Sequence, residues 1–229
     1  MNKIISLLFL LCIVGSSIQV FTPKQMLDAI NFARTQPKLF AETAKLNTRW
    51  YKNGAFVPYT TSSPTTPPES ATCYQDGYNW LLNVAVGVPA LLQSQVAELA
   101  AASQSIYLAN VLKKLSHTGE GGSQFWQRLQ SFGTYATGAW GSNENIASTS
   151  APWASANDYV FQWISDCGTL SRGHRTNIFS TAITHYGCAD VQDPLSTWTY
   201  ATCDGSTAMI LLASAKTSPL YARLYPAGL

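Results

Sequence analysis

The chain has 229 residues, with 14 Lys and Arg against 12 Asp and Glu, which gives a formal net charge of +2 at pH 7. No basic stripe and no run of like charges occurs, so nucleic acid and anionic membrane surfaces are poor candidates for partners. The length suits one ordinary domain with a sizeable core.

The N-terminus has the pattern of a secretory signal. Lys3 precedes an apolar run over residues 4–14, and small residues follow at positions 15–17. The run is too short to span a bilayer as a stable helix, and no basic stop-transfer cluster follows it. We therefore expect a cleaved signal peptide over residues 1–19, a single secreted domain over residues 20–229, and no transmembrane segment after cleavage. The alternatives are a membrane anchor and a buried N-terminal helix.

The first half of the mature chain is mainly helical by pattern. Thr22 and Gln25 are spaced as a capping box that begins a first helix, and Pro37 opens a second short helix through Leu46. Residues 57–70 are rich in Pro, Thr and Ser and predict a surface loop. Pro89 opens a long helix that is expected to run to about Lys114.

The second half combines helices with a late hairpin. The order of helices first and strands last predicts an α+β fold with an antiparallel sheet. The expected elements are a helix over 124–132 that ends at Gly133, a helix from Ser155 or Asn157 to Ser165, strands over 185–192 and 197–204 around a turn at 193–196, and a strand over 208–214.

The cysteines predict two disulfides. Cys12 leaves with the signal, and the four that remain can pair in an oxidising compartment. A hairpin centred between residues 195 and 196 places Cys188 opposite Cys203, which is close enough for a bridge. By elimination, Cys73 pairs with Cys167.

Four polar residues are candidates for chemistry. His117 and His174 lie in glycine-containing breaks of the pattern, where side chains can converge on a site. Glu144 lies in a weakly polar segment between them, and Asp166 closes the helix before His174. Each has an ordinary structural explanation when taken singly, and His185, at the start of a strand, receives no role.

As a series, these segments resemble the CAP superfamily of cysteine-rich secretory, antigen 5 and pathogenesis-related 1 proteins. The segments are Leu-Ser-His at 115–117, Asn-Glu-Asn-Ile-Ala at 143–147, Trp163 with Asp166, and Gly-His-Arg-Thr-Asn-Ile at 173–178. The Gly-His-Arg-x-Asn form is similar to the microbial SCP-like extracellular type, and Arg128 also fits that pattern. The resemblance covers residues 23–214.

The resemblance implies a three-layer α-β-α sandwich with a small antiparallel sheet and a cleft that holds two histidines and two acids. His117 and His174 match the histidines, and Glu144 matches one acid, although Asn143 replaces the usual glycine. Asp166 lies where many members have a glutamate, and its side chain is shorter by one methylene.

Such a cleft has three candidate roles. His117, Glu144 and His174 could hold zinc or another divalent metal, the four groups could move a proton, or they could form a polar network that holds the layers together. We favour a secreted binding protein for a small apolar ligand, such as a sterol or fatty acid, or for an extracellular protein or glycan surface. The alternatives are a metal-dependent or His/Glu hydrolase, and an interaction or defence module that uses residues 57–70.

Overall fold

The structure is a computed structural model that describes residues 21–58, 71–136, 140–151 and 154–226. The expected signal peptide, and the surface loop apart from residues 57 and 58, lie outside the described residues. Within the described ranges, no helix is long and apolar enough to cross a membrane.

The predicted helix starts are confirmed where the chain supplies caps. In the first helix, Oγ1 of Thr22 accepts from the backbone N–H of Gln25, and the Gln25 side chain accepts from the N–H of Thr22. The main helices are α1 (Pro23–Thr35), α2 (Pro37–Asn47), α3 (Cys73–Asn83), α4 (Gln95–Tyr107), α5 (Phe125–Phe132), α6 (Ala156–Ser165) and α7 (Gly173–Phe179). Two short helices follow near the C-terminus, α8 (Ala213–Lys216) and α9 (Pro219–Leu224).

The strands form one central sheet and two small ribbons. The central sheet has the order β3 (Leu92–Gln93), β6 (His185–Gln192), β7 (Thr199–Ser206) and β5 (Ser142–Thr149). β1 (Tyr51–Lys52) pairs with β2 (Ala55–Phe56), and β4 (Gly133–Tyr135) pairs with β8 (Met209–Leu211). Pairing in the central sheet is antiparallel, except that β3 joins β6 in parallel.

Both predicted disulfides are present. Cys188 is the register partner of Cys203 in the β6–β7 hairpin, and their sulfurs are bonded. Cys73, at the start of α3, is bonded to Cys167, which follows α6. The spacing of Cys188 and Cys203 around the hairpin turn is therefore sufficient to assign both pairs.

Helices cover both faces of the central sheet. On one face, α4 packs so closely that Oγ of Ser105 donates to the carbonyl of Ala189 on β6. On the other face, Nε1 of the buried Trp163 of α6 donates to the carbonyl of Ile146 on β5. α1 contributes Met26 and Ile30 to the same core. The α+β, three-layer prediction is confirmed.

The predicted helix from Pro89 to about Lys114 is wrong at its start, and its helical end at Leu112 lies close to the predicted one. Residues before Ser94 are extended because the Asn31 side chain bonds both backbone groups of Leu91, and Leu92 pairs with β6 as part of β3. The helix begins at Gln95, capped by Ser94. It ends as a π-helical turn over Leu108–Leu112, after which Lys113 adopts a left-handed conformation.

The segment of His174, interpreted as a break, and the weakly polar segment of Glu144 are both regular structure. Glu144 lies on strand β5, and His174 lies in the short helix α7. The predicted strand over 208–214 is shorter than expected, because the chain turns into α8 after β8.

Gly187→Ala should destabilise the protein by about 3 kcal/mol or more, because overpacking against rigid neighbours is costly. A Cβ at this position in β6 would lie 2.1 Å from the backbone nitrogen of Glu98 in α4, and backbone cannot move aside as a side chain can. Gly141→Ala is the matched control, since its nearest neighbour would be 3.5 Å away. Urea unfolding of both variants measures the difference, and equal stabilities would contradict the tight packing of α4 on β6.

Candidate functional site

The first half of the site is centred on Glu144. Its Oε1 lies 2.7 Å from Nδ1 of His117, and its Oε2 accepts from the guanidinium of Arg128 on α5. The side chains of Glu144 and Arg128 are 1% and 6% exposed, whereas that of His117 is 52% exposed. A buried ion pair therefore supports a histidine that reaches solvent.

The loop that carries His117 is held from two sides. Arg128 donates to the carbonyl of Ser123 at 2.9 Å, and the Gln104 side chain of α4 donates to the carbonyl of Ser116 at 2.6 Å. A Cβ at Gly119 would lie 2.5 Å from Oε1 of Gln104 and 2.8 Å from Nη1 of Arg128, so a larger residue would displace these side chains. These contacts give the loop one shape and so fix the position of His117.

The second half of the site joins Asp166 to His174. Oδ1 of Asp166 lies 2.7 Å from Nδ1 of His174, and Oδ2 accepts from the backbone N–H of His174 at 2.9 Å. Asp166 is the C-cap of α6 in a left-handed conformation, and Arg172 donates to its carbonyl at 2.7 Å. The shorter aspartate therefore does reach the histidine, because the turn after α6 brings α7 back towards it.

Strand β5 connects the two halves. Nδ2 of Asn177 on α7 donates to the carbonyl of Glu144 at 3.0 Å and to the side chain of Asn145 at 2.9 Å. The imidazole rings of His117 and His174 have centroids 6.0 Å apart and are tilted by 33°. All four predicted residues thus lie in one cleft, arranged as two His–carboxylate pairs.

Asp204 is a further acid of the site that the sequence reasoning missed. It is fully buried on β7, is the register partner of Glu144, and has no hydrogen-bond partner for either carboxyl oxygen among the described residues. Burial raises the pKa of Asp204 well above its ordinary value, and the nearby charge of Glu144 raises it further, against a lowering by Arg128. The only signal was its place in the hairpin, and its nearness to Glu144 depends on the unpredicted strand β5.

The hydrogen bonds constrain the chemistry of both imidazoles. When neutral, each ring donates from Nδ1 to its ionised carboxylate, which places the lone pair on Nε2. Nε2 is then the atom of each ring that can accept a proton or bind an electrophile. Two such atoms on facing rings make the cleft competent for proton transfer or for nitrogen ligation.

The donor set fits a metal only in part. Two histidines with carboxylates behind them form the outer support that metal-binding imidazoles usually have. Both oxygens of Glu144 are already engaged, however, and no group of three or more His, Cys, Asp or Glu among the described residues is arranged to hold a metal ion. The predicted set of His117, Glu144 and His174 stays a prediction, with Glu144 placed as an orienting partner.

The fold and the two His–carboxylate pairs agree with what the resemblance to the CAP superfamily implies. The family model described as the cysteine-rich secretory protein family, CAP, matches residues 27–204, which include every residue of the cleft. The chain therefore belongs to the CAP family.

Two solved structures resemble the chain weakly. An outer surface protein from Borrelia burgdorferi is 17% identical with a TM-score of 0.40, over 51% of this chain and 77% of that one. An extracellular protein containing a SCP domain from Bacillus anthracis is 19% identical with a TM-score of 0.42, over 72% of this chain and 49% of that one. The chain thus spans about half of the Bacillus protein. No curated protein matches the chain significantly.

Asp204→Asn should stabilise the protein at pH 7, because the pKa of the folded aspartate is raised well above its unfolded value of about 4. In the window between these two pKa values the unfolded chain gives up a proton that the folded state favours keeping. The parent therefore loses stability as the pH rises through this window, and the asparagine variant does not. Below the window the aspartate is protonated in both states, so the difference should shrink.

The measurement is urea unfolding of parent and variant from pH 3 to pH 8. Asp193→Asn is a control for which the opposite change in stability is expected. Burial favours a raised pKa for Asp193, but hydrogen bonds from Lys113, Leu195 and Ser196 lower it, so this variant should lose stability at pH 7. A stability difference for Asp204→Asn that does not change with pH would contradict a proton held at Asp204.

Proposed function

We propose that the protein is a secreted binding protein that captures a small apolar ligand with an acyl chain. The observation that carries this proposal is a groove of about 610 Å³ between α1 and the start of α6. Small-molecule sites are commonly about 300–1,000 Å³ and mainly apolar, with a few polar groups. The size of the groove is therefore suitable for one lipid-sized molecule.

The lining of the groove supports an amphipathic ligand. Phe32, Ala29 and the mostly buried Phe21 form its apolar lining. Phe32 is held by an edge-on contact with Phe40 at 5.6 Å between centroids, so its ring is positioned before a ligand arrives. Polar side chains also line the groove and could face the head group. They are Gln25, Asp28, Ser155 and Asn157.

Secretion is part of the same proposal. It is supported by the two disulfides, which are typical of oxidising compartments, and by the signal pattern of residues 1–19. Phe21 is buried and belongs to the expected mature domain, so the groove would be complete after cleavage.

Ala156→Trp should weaken binding of a fluorescent fatty acid by about tenfold or more, because the indole would occupy the groove and such a loss corresponds to about 1.4 kcal/mol. Ala222→Trp on α9 is the matched control and should bind as the parent does, since Ala222 is exposed and does not line the groove. Fluorescence titration of delipidated, signal-free protein measures both, with a sterol probe in parallel. Equal binding by the two variants, or none by the parent, would overturn the proposal.

A second candidate function is metal-assisted or acid–base hydrolysis in the cleft. It is favoured by the two facing His–carboxylate pairs, which leave Nε2 of each ring available for chemistry. A zinc ion bound there would supply an activated water, while Glu144 and Asp166 would orient the imidazoles. Without a metal, the same histidines could take a proton from water.

Zinc titration calorimetry on oxidised, signal-free protein tests this candidate. We expect a Kd at or below about 10 µM for the parent and a loss of at least about tenfold in His117→Ala/His174→Ala. The double variant should keep its fatty-acid binding, because neither histidine lines the α1–α6 groove. Zinc binding that is equal in parent and variant would remove the cleft as the metal site, and turnover that survives in the variant would remove it as a hydrolytic site.

A further inference from the structure

A second pocket lies between the segment after α2, the end of β5, α6 and the β6–β7 turn. Its volume is about 380 Å³, and it shares no residue with the α1–α6 groove or with the histidine cleft. Among the described residues, its lining combines positive charge, indole surface and neutral polar groups, with no carboxylate. The residues that matter here are Arg49, Trp50, Thr149, Gln162 and Trp198.

Arg49 is a half-buried cation whose guanidinium bonds neutral groups, while its backbone N–H donates to the carboxylate of Asp158 at 2.8 Å. Its guanidinium donates to Oγ1 of Thr149 and, at 3.3 Å, to Oε1 of Gln162, and it lies 4.1 Å above the ring of Trp50. Its Nε is buried with no hydrogen-bond partner, and no carboxylate lies within ion-pair distance of it in the part of the chain that the structure describes. Burial lowers the pKa of Arg49, and the nearby negative charge of Asp158 opposes this change.

Trp50 keeps Arg49 in place and is itself fixed. Its ring stacks on Tyr74 at 4.4 Å between centroids, and its Nε1 donates to the carbonyl of Asp158. The guanidinium therefore lies on a prebuilt aromatic stack, with its orientation set before any ligand binds. A planar, preoriented guanidinium is well suited to binding a carboxylate or a sulfate group.

Trp198 provides an indole surface beside this cation. It is 45% exposed, although its backbone is fixed by the turn, where the N–H of Asp193 donates to its carbonyl at 2.7 Å. A single exposed tryptophan is ordinary on a protein surface, and Trp126 is nearly as exposed at 40%. What distinguishes Trp198 is that it lines the same pocket as the guanidinium of Arg49, several hydroxyl groups and the amide of Gln162.

We propose that this pocket binds an acidic saccharide, with a sugar ring against Trp198 and its carboxylate or sulfate group on Arg49. Sugar rings present C–H groups that pack on an indole, and their hydroxyls match the amide of Gln162 and the hydroxyls of Ser148 and Ser150. The positive charge of the Arg49 guanidinium complements the acid. The proposal goes beyond apolar capture, and neither depends on the other because the two pockets share no residue.

The test is titration of oxidised protein with a heparin-derived tetrasaccharide, followed by the indole N–H resonances in two-dimensional NMR. We expect saturable binding that weakens with added salt, and a loss of about tenfold or more in Trp198→Ala. Arg49→Gln should lose as much, while Arg49→Lys should recover only part, because an ammonium keeps the charge without the planar fork. Trp126→Ala is the matched control and should bind as the parent does.

Each alternative outcome overturns the proposal. No binding by the parent up to about 5 mM would remove the site altogether, since affinities weaker than 1 mM are worth less than about 4 kcal/mol. Unchanged binding in Trp198→Ala would place the saccharide elsewhere. Three further probes should bind more weakly than the acidic tetrasaccharide. Equal affinity for inorganic sulfate would show that only the acid is recognised, and equal affinity for a neutral tetrasaccharide would show that only the ring is recognised. Equal affinity for a poly-glutamate peptide would show that the saccharide itself is not specifically recognised. If Arg49→Gln fails to fold, Trp198→Ala still tests the site. Trp198 is 45% exposed, so its replacement should leave the fold intact.

Discussion

The buried carboxylate of Glu144 is the group on which the cleft depends. One oxygen holds His117, the other pairs with Arg128 of α5, and the backbone carbonyl of the same residue accepts from Asn177 of α7. One position on β5 therefore connects the loop after α4, helix α5 and helix α7. A buried charge that loses its partner typically costs about 3–5 kcal/mol, so changes at Glu144 or Arg128 would disturb the fold together with any chemistry.

The buried acids of this region are not equally compensated. Arg128 pairs with Glu144, whereas burial and the charge of Glu144 raise the pKa of Asp204 on the neighbouring strand. Asp166 bonds the backbone and the ring of His174. Two acids thus hold the histidines, while burial favours the neutral form of the third.

Much of the architecture could be predicted because it is specified locally. The capping box at Thr22, the serine cap before α6 and the spacing of Cys188 and Cys203 around a turn are signals within a few residues of one another. What failed depends on distant partners. Residues 89–93 are extended because Asn31 and β6 bind them, and β5 is a strand because β7 pairs with it. The four cleft residues could be named from the series of motifs, but Asp204 required the β5–β7 register, which no local pattern contains.

The bond between Cys73 and Cys167 makes a covalent ring of the chain between them, a separation of 94 residues. His117, Glu144 and Asp166 all lie within that ring, and His174 follows it closely. A protease that cuts once between residues 74 and 166 would leave both pieces in one molecule, with the cleft still joined covalently. A cut before Cys73 has the opposite result, since α1 and α2 would then be retained by packing alone. The same protease could therefore cut the segment that carries the cleft without separating the two pieces. A cut before Cys73 could instead detach the N-terminal helices and, with them, half of the apolar groove.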